Sequence, residues 1–340
     1  MNINIIEFKQ LIKPNKLREE CPINTNITKF VNKTRDEISK IIEGKSSKKL
    51  FIVGPCSIHN VEQAFEYSKM LKKIADKIND KILIVMRVYF EKPRTTIGWK
   101  GLINDPELNG SYDVNKGLRL ARELLLKINS IGVPCGYEVL DTITPQYISD
   151  LISWGAIGAR TTESQVHRQM VSGLSMPIGF KNGTSGDKII AADAILSASF
   201  GHCFMGITDD GNPAICKTKG NKNCHVILRG GKDGPNFSPD HIQEMINILV
   251  ERQQRPMIMV DCSHGNSKKN YKNQAGVLTR VMSYIDQYPN IIGVMIESNI
   301  NKGKQCFKSV EDLEYGVSIT DSCISIDKTY EILYDAYENL

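Results

Sequence analysis

The sequence lacks the features that mark most disulfide-stabilised proteins, zinc ribbons and membrane proteins. Its nine cysteines are an odd number and include no C-x-x-C pair, which argues against a disulfide framework and against a ribbon site. The first residues carry neither a basic start nor a long apolar region, and no apolar run approaches the length of a membrane span. We therefore expect a cytoplasmic protein with reduced thiols and no membrane partner.

A strong excess of one charge is also absent. The formal net charge is +5 over 340 residues, and the basic runs at 45–49 and 268–272 are short enough to be solvated faces. A nucleic-acid surface usually shows a longer basic stripe with interleaved aromatic residues, so we expect no nucleic-acid partner. A modest positive balance suits small anionic substrates.

The glycine motifs that bind nucleotides are missing as well. The glycine-containing segment at 182–188 lacks the G-x-x-x-x-G-K-[ST] spacing, and no G-x-G-x-x-G sequence opens the chain. Any phosphate group must therefore be held largely by side chains.

What the chain does contain is a regular alternation of short apolar runs with amphipathic helical segments. Apolar residues make up 41% of the sequence and charged residues 24%, as in ordinary globular proteins. The eight strand-like runs lie at 50–53, 82–86, 133–137, 156–159, 177–180, 226–228, 257–260 and 291–296. This α/β alternation favours a (β/α)8 TIM barrel over an open doubly wound sheet, although periodicity alone does not prove closure.

Two segments depart from a plain barrel. Residues 1–49 are polar and weakly patterned and form a predicted N-terminal extension to a barrel at 50–340. The segment 203–225 carries turn signals at 210–213 and 219–221, which predict an inserted β-hairpin between the fifth and sixth units. Neither segment is large enough to be a separate domain.

Ionisable residues follow the predicted strands. In a barrel these positions converge on the face where enzymes of this fold keep their active sites. They are Cys56, Arg87 with Lys92, Glu138, Arg160, Lys181, Arg229, Asp261 with His264, and Glu297. A single residue of this kind would usually be a solvated loop side chain, but its recurrence at the strand ends predicts a functional site. The cations that converge there would repel one another, so they require ligands with carboxylate or phosphate groups.

Four of the polar residues near the strand ends are candidate metal ligands. Cys56 and His264 lie in turns of small residues, Glu297 ends an apolar strand, and Asp321 lies in a polar loop after the eighth unit. Thiolate, imidazole and two carboxylates suit one divalent first-row ion, and the sequence does not choose among manganese, iron, cobalt and zinc.

The sequence segments around these residues resemble the motifs of a known family. The segments are GPCSIH at 54–59, MRVYFEKPRTT at 86–96, GARTTES at 158–164, GFKNGT at 179–184, HVILRGG at 225–231, DCSH at 261–264, IES at 296–298 and SITD at 318–321. Together they resemble the microbial type I 3-deoxy-D-arabino-heptulosonate 7-phosphate (DAHP) synthases, whose members respond to phenylalanine, tyrosine or tryptophan. The resemblance spans nearly the whole chain.

The resemblance implies a shikimate-pathway transferase that joins phosphoenolpyruvate to erythrose 4-phosphate. It places the metal on Cys56, His264, Glu297 and Asp321, and phosphoenolpyruvate on Arg87, Lys92, Arg160, Lys181 and Arg229, with Glu138 beside it. Arg94 and Thr95 would hold erythrose 4-phosphate, and Lys92, His264 and Cys56 are the implied catalytic residues.

The resemblance also implies a homodimer or homotetramer and an aromatic amino-acid effector near the hairpin, 141–146 and 174–177. The N-terminal tail lacks the paired acidic residues that some members carry there, so the effector stays open. Two other functions remain: the sister synthase that uses arabinose 5-phosphate, and a catalytically silent barrel that senses aromatic amino acids.

Overall fold

The strands of the chain run mostly parallel and close on themselves. The computed structural model describes residues 3–307 and 309–340, so the first two residues of the predicted extension lie outside it. The strands are β1 Lys49–Gly54, β2 Ile82–Arg87, β3 Cys135–Glu138, β4 Trp154–Ile157, β5 Ile178–Lys181, β6 Cys203–Ile207, β7 Pro213–Lys217, β8 Cys224–Leu228, β9 Ile258–Asp261, β10 Ile291–Asn299 and β11 Ile324–Ser325.

Eight of these strands, β1–β5 and β8–β10, pair in parallel, and β1 also pairs with β10. That last pairing closes the ring, so the predicted (β/α)8 barrel is confirmed. The short β11 pairs with the end of β10 outside the ring.

A helix follows each barrel strand and packs outside it. The helices are α1 Pro14–Glu20, α2 Thr25–Ile42, α3 Val61–Ile78, α4 Val114–Ser130, α5 Pro145–Ile148, α6 Gln165–Val171, α7 Ile189–Ser199, α8 Pro239–Glu251, α9 Gln274–Met282 and α10 Ile326–Glu338. Single 3-10 turns lie at Ser149–Leu151, Tyr271–Asn273 and Val310–Asp312. The helices α3 to α10 form the outer ring that the alternating pattern predicts.

The predicted fourth strand at 156–159 is placed two residues too late. The strand begins at Trp154, whose indole is buried with the lumen residues, and ends at Ile157. It ends there because the carbonyl oxygen of Gly158 accepts hydrogen bonds from the amides of Thr161 and Thr162, both at 3.0 Å, which turns the chain. The predicted third strand, at 133–137, is in contrast placed two residues too early, since the strand begins at Cys135.

The strands bury both faces, and the two faces belong to different cores. In β1, Phe51 and Val53 pack in the large cluster between barrel and helices, whereas Leu50 and Ile52 pack in a smaller cluster inside the lumen. Successive side chains of a strand point to opposite faces, so each strand supplies both clusters in turn. The residue at the end of a strand therefore faces inward or outward according to its place in the alternation.

The N-terminal extension contributes to the lumen from below. Helix α2 packs Ile38, Ile41 and Ile42 against the apolar lumen residues of the barrel. These include Leu50, Val85, Trp154, Ile227, Met259 and Met295. The extension thereby completes the apolar floor, while the opposite end of the lumen is left to polar residues.

The predicted hairpin is present between the fifth and sixth barrel strands. Strands β6 and β7 pair antiparallel, with Met205 opposite Ile215, and both of these side chains are exposed. Cys224 and His225, which the predicted segment 203–225 included, belong instead to the barrel strand β8. Within the described residues no helix has the length and apolar character needed to span a membrane.

A buried arginine on α4 ties the extension to the barrel. The Arg122 guanidinium is fully buried and forms two hydrogen bonds to the Asp150 carboxylate, at 2.7 and 2.9 Å. It also donates to the carbonyl oxygens of Cys21 and Tyr147, both at 2.9 Å. One side chain thus joins the end of α1 to α5 and the turn that follows it.

We predict that Arg122→Met lowers the free energy of unfolding by about 3 kcal/mol, because it leaves a carboxylate and two carbonyls without their donor. The control is Arg119→Met on the same helix, whose exposed pair with Glu20 should contribute less than about 1 kcal/mol. Urea unfolding followed by circular dichroism measures both. Equal losses in the two variants would contradict the assigned role of Arg122.

Candidate active site

A layer of ionisable side chains occupies the carboxyl ends of the barrel strands. Its members, all almost fully buried, are the last residues of β2, β3, β5 and β9, which are Arg87, Glu138, Lys181 and Asp261, together with Glu297, two residues before the end of β10. The alternation that puts apolar residues in the lower lumen puts these residues in the same lumen two or four positions later. The barrel therefore concentrates charge directly above its apolar floor.

Opposite charges in this layer lie side by side. Arg87 donates from Nη2 to Glu297 Oε1 at 3.1 Å, and its guanidinium carbon lies 4.0 Å from the ring centre of Tyr89. Lys181 Nζ lies 3.7 Å from a carboxylate oxygen of Glu138 and 3.7 Å from one of Asp261. Buried charges are tolerated only when they are paired in this way.

Cys56 and Lys92 lie against each other at the edge of the layer. Lys92 Nζ lies 3.1 Å from the Cys56 carbonyl oxygen and 3.3 Å from its Sγ. Burial, followed by the nearby Glu297, raises the pKa of the Cys56 thiol to about 11. Burial alone would lower the pKa of Lys92, but Cys56 and Glu138 outweigh it and raise that pKa, so Lys92 is held as an ammonium.

Three of the four predicted metal ligands form one compact group. The ligand atoms of Cys56, Glu297 and Asp321 all lie within 4.8 Å of one another. The fourth, His264, stands just outside this group, with its Nε2 3.8 Å from Glu297 Oε1. A thiol, two carboxylates and an imidazole fit the donor set of a divalent transition metal.

Asp261 orients the imidazole. His264 Nδ1 lies 2.8 Å from Asp261 Oδ2 and 2.7 Å from Ser263 Oγ, which leaves Nε2 on the side of Glu297. Burial would raise the pKa of Asp261, but the neighbouring His264 and Lys181 lower it far below its usual value. A carboxylate behind a histidine is the arrangement that holds metal-binding imidazoles in position.

A cavity of about 1060 Å³ opens above the charged layer. The predicted site residues that line it are Lys92, Arg94, Thr95, Glu138, Arg160, Lys181, Arg229, His264, Glu297 and Asp321. Two others, Arg87 and Cys56, are fully buried beneath it and do not line it. Arg160 also bridges two loops, since its Nε donates to Thr95 Oγ1 at 3.1 Å.

The cavity is more basic than the motifs alone indicate. Among the described residues, nine lysine or arginine side chains line it against four carboxylates. Residues that the sequence analysis did not assign to the site are Lys232, Lys268, Lys269 and Lys304. Lys268 and Lys269 are exposed, as expected for a solvated run at 268–272, but they also line this cavity. The sequence signal for this location was their position four and five residues after His264.

A buried acid next to Lys92 was also missed. Glu91 is 2% exposed, accepts a hydrogen bond from the Tyr137 hydroxyl, and lies 3.3 Å from Thr144 Oγ1. Burial, followed by repulsion from Asp141, raises the pKa of Glu91 to about 8. A single acidic residue in a sequence gives no sign of this burial.

The segments predicted to surround an effector meet at the hairpin. Gln146 Nε2 donates to the Ile207 carbonyl oxygen at 3.1 Å, which joins the segment 141–146 to β6. Arg18 of α1 reaches both sides, donating to the Gln146 carbonyl oxygen at 2.5 Å and pairing with Asp209 at 3.1 Å. The segment 174–177 is tied in by Asn221, which donates to the Leu174 and Met176 carbonyl oxygens.

Comparison with known proteins gives one consistent match. A family model described as "DAHP synthetase I family" matches residues 20–334. The "Phospho-2-dehydro-3-deoxyheptonate aldolase, Tyr-sensitive" of Escherichia coli K12 is 47% identical over 341 residues, covering 100% of this chain and 96% of that protein. Its Phe-sensitive counterpart is 49% identical, covering 98% and 95% respectively.

Similar proteins extend beyond bacteria and include solved structures. A "tyrosine-inhibited" aldolase of the same description from Candida albicans is 49% identical and covers 97% of this chain and 91% of its own. The solved structure of the phospho-2-dehydro-3-deoxyheptonate aldolase of Francisella tularensis SCHU S4 superposes with a TM-score of 0.97 at 50% identity. That alignment covers 99% of this chain and 98% of the other.

We predict that Glu91→Gln removes part of the pH dependence of stability. Because the folded-state pKa of about 8 lies above the ordinary glutamate value of 4.5, the folded protein keeps a proton that the unfolded chain loses. The contribution of Glu91 to the free energy of unfolding is therefore complete at low pH. It falls as pH rises from 4.5 through about 8, by at most about 1.4 kcal/mol per pH unit.

The free energy of unfolding, measured in urea from pH 5 to 9, should decline less steeply in Glu91→Gln than in the native protein. The exposed Glu251→Gln on α8 is the control and should follow the native curve. Parallel curves for all three proteins would contradict a protonated Glu91.

Proposed function

The chain belongs to the DAHP synthetase I family, and we propose that it is a 3-deoxy-7-phosphoheptulonate synthase. It condenses phosphoenolpyruvate with D-erythrose 4-phosphate and water to give DAHP and phosphate, the first step of the shikimate pathway. The observation that carries this proposal is the cationic cavity directly above the cluster of Cys56, Glu297 and Asp321. The match over nearly all of the chain supports it.

The cavity cations suit two phosphorylated substrates. We assign phosphoenolpyruvate to Arg160, Lys181 and Arg229, since arginine forks match its carboxylate and phosphate oxygens. Arg94 and Thr95 take the phosphate of erythrose 4-phosphate, because both line the exposed end of the same cavity. The buried Arg87 acts on this site from beneath, by holding Glu297.

We assign one divalent metal ion to Cys56, His264, Glu297 and Asp321. The donor set fits such an ion, and manganese, iron, cobalt and zinc all accept it. When bound, the ion supplies Lewis acidity beside the substrate aldehyde. Asp261 keeps the imidazole turned toward Glu297, as its 2.8 Å distance from His264 Nδ1 favours.

The remaining residues control charge and protons during the reaction. The methylene carbon of phosphoenolpyruvate attacks the aldehyde carbon, which leaves positive charge on the enol carbon and negative charge on the aldehyde oxygen. Lys92, held as an ammonium, donates to that oxygen. Water then adds to the enol carbon and phosphate leaves by carbon–oxygen cleavage.

We assign to Glu138 the role of accepting the proton of the adding water. Burial would raise the pKa of this carboxyl group, but Lys181 and Lys92 outweigh burial and lower it, so Glu138 is a carboxylate. It lines the cavity and lies 3.7 Å from Lys181 Nζ. Lys181, one of the cations assigned to phosphoenolpyruvate, therefore lies beside the carboxylate assigned to take the proton.

We predict that phosphate release from phosphoenolpyruvate requires both erythrose 4-phosphate and a divalent metal. Chelator-treated enzyme should lose at least about 90% of its turnover and recover it with manganese, because the metal-bound site provides several kcal/mol of charge stabilisation. Cys56→Ser should need a much higher metal concentration, since the hydroxyl is a poorer ligand than the thiolate.

The same assay separates the alternatives. Consumption of arabinose 5-phosphate in place of erythrose 4-phosphate would assign the chain to the sister synthase. Binding of aromatic amino acids with no turnover in manganese, iron, cobalt or zinc would instead favour the silent sensor.

We further propose that an aromatic amino acid inhibits the enzyme. We also propose that the enzyme is a cytoplasmic homodimer or homotetramer. The related proteins are named Tyr-sensitive, Phe-sensitive or tyrosine-inhibited. The hairpin, the segment 141–146 and the segment 174–177, which meet through Gln146 and Asn221, are the proposed effector region. The division into an extension at 1–49 and a barrel at 50–340 stays a prediction.

We predict that phenylalanine or tyrosine reduces turnover and that Gln146→Ala raises the half-inhibitory concentration about fivefold. The variant loses the hydrogen bond that joins the segment to the hairpin, a contact of about 1 kcal/mol. Turnover without effector should be unchanged, because Gln146 does not line the cavity. The control, Gln243→Ala on α8, should leave inhibition as it is; inhibition unaffected by Gln146→Ala would remove this region from the effector site.

A further inference from the structure

The loop after β9 has an unusual backbone. His264, Lys268 and Lys269 have φ angles of 52°, 54° and 58°, and they are three of the six non-glycine residues with positive φ in the described chain. Side chains with a Cβ are disfavoured in this left-handed region. Such conformations persist where surrounding contacts fix them, and they concentrate at functional sites.

Hydrogen bonds within the loop hold both lysines relative to the imidazole. The Lys269 amide donates to the His264 carbonyl oxygen at 2.8 Å, and the Lys268 amide donates to the Gly265 carbonyl oxygen at 3.0 Å. Asn273 Nδ2 fixes the middle of the loop by donating to the Ser267 carbonyl oxygen at 3.0 Å. The position of the two lysines is therefore tied to that of a predicted metal ligand.

Close backbone packing anchors the other end of the loop. Gly265 lies against Gly230 of the preceding strand–helix loop, where a Cβ on Gly230 would come within 2.5 Å of the Gly265 carbonyl carbon. Gly230 follows Arg229 directly, so the loops that carry Arg229 and His264 fit together without intervening side chains. The backbones of the two loops are therefore in direct contact.

The two lysines are free to bind a ligand. Both are exposed and line the same cavity as Arg160 and Arg229, and neither makes an ion pair with a carboxylate among the described residues. Lys272, three residues farther on, is exposed too but does not line the cavity. A run of lysines that only contacts solvent would not need left-handed backbone angles. Lys268 and Lys269 have such angles and line the cavity, whereas Lys272 does neither.

We propose that Lys268 and Lys269 form a phosphate-capture site at the mouth of the cavity. Two adjacent ammonium groups suit a phosphoryl dianion, for which lysine acts as a point charge. The reaction brings two phosphorylated substrates through this mouth and releases inorganic phosphate, so the inference rests on the proposed function. Fixed positive charge at an entrance raises the association rate of anions and makes it sensitive to salt.

The test compares three proteins with the native, metal-loaded enzyme. The double variant Lys268→Gln/Lys269→Gln removes both charges, the double arginine variant keeps them, and Lys272→Gln is the matched control. We expect the glutamine variant to lose about tenfold in kcat/KM with kcat unchanged, and its kcat/KM to depend less on salt. The arginine variant should recover most of the loss, and Lys272→Gln should match the native enzyme.

The individual constants identify which phosphate the site takes. A raised KM for phosphoenolpyruvate alone or for erythrose 4-phosphate alone assigns the site to that substrate. Weaker product inhibition by inorganic phosphate, with both KM values unchanged, assigns it to the leaving group. Unchanged KM values, product inhibition and salt dependence in the glutamine variant would overturn the proposal.

Two further measurements separate a binding role from a structural one and from failure of the proposed function. Lys268→Gly/Lys269→Gly relieves the backbone strain, so it should unfold at an equal or higher temperature while showing the kinetic loss of the glutamine variant. If the native enzyme shows no turnover, calorimetric titration with inorganic phosphate still applies. Binding that is equal in the native and glutamine proteins would then refute the capture site.

Discussion

Mutual neutralisation of buried charges at the top of the barrel lumen is the interaction on which the rest of the site depends. Arg87 with Glu297, and Lys181 with Glu138 and Asp261, would each be unstable alone at this depth. The partners in each pair are supplied by different strands, so the pairs depend on how the strands are arranged around the ring.

The layers above and below serve this one. Below, α2 completes an apolar floor with Ile38 and Ile42, so the charged layer rests on packed side chains. Above, lysine and arginine side chains outnumber carboxylates among the described residues, which leaves the cavity short of negative charge. Lys92 connects the two levels, since it lines the cavity while its ammonium contacts the buried Cys56.

The same electrostatics set different protonation states for neighbouring acids. Lys181 and Lys92 keep Glu138 ionised, whereas burial and the neighbouring Asp141 raise the pKa of Glu91 to about 8, so Glu91 retains its proton near neutral pH. Burial acts in the same direction on both groups, so the nearby charges decide the difference. The Glu91 carboxyl group lies 3.3 Å from Thr144 Oγ1 at the start of α5 and so links the loop after β2 to the loop after β3.

Apolar runs and the residues at their ends are local patterns, so the sequence alone predicts the eight strands, although the third and fourth begin two residues from their predicted starts. The motifs around Cys56, Arg160 and His264 likewise need no fold to be read. The tertiary structure is needed to place Arg87 beneath the cavity and Asp261 beside His264, and to bring the exposed Lys268 and Lys269 to the cavity lining. These features depend on contacts between distant strands and on left-handed backbone angles, which neither periodicity nor composition encodes.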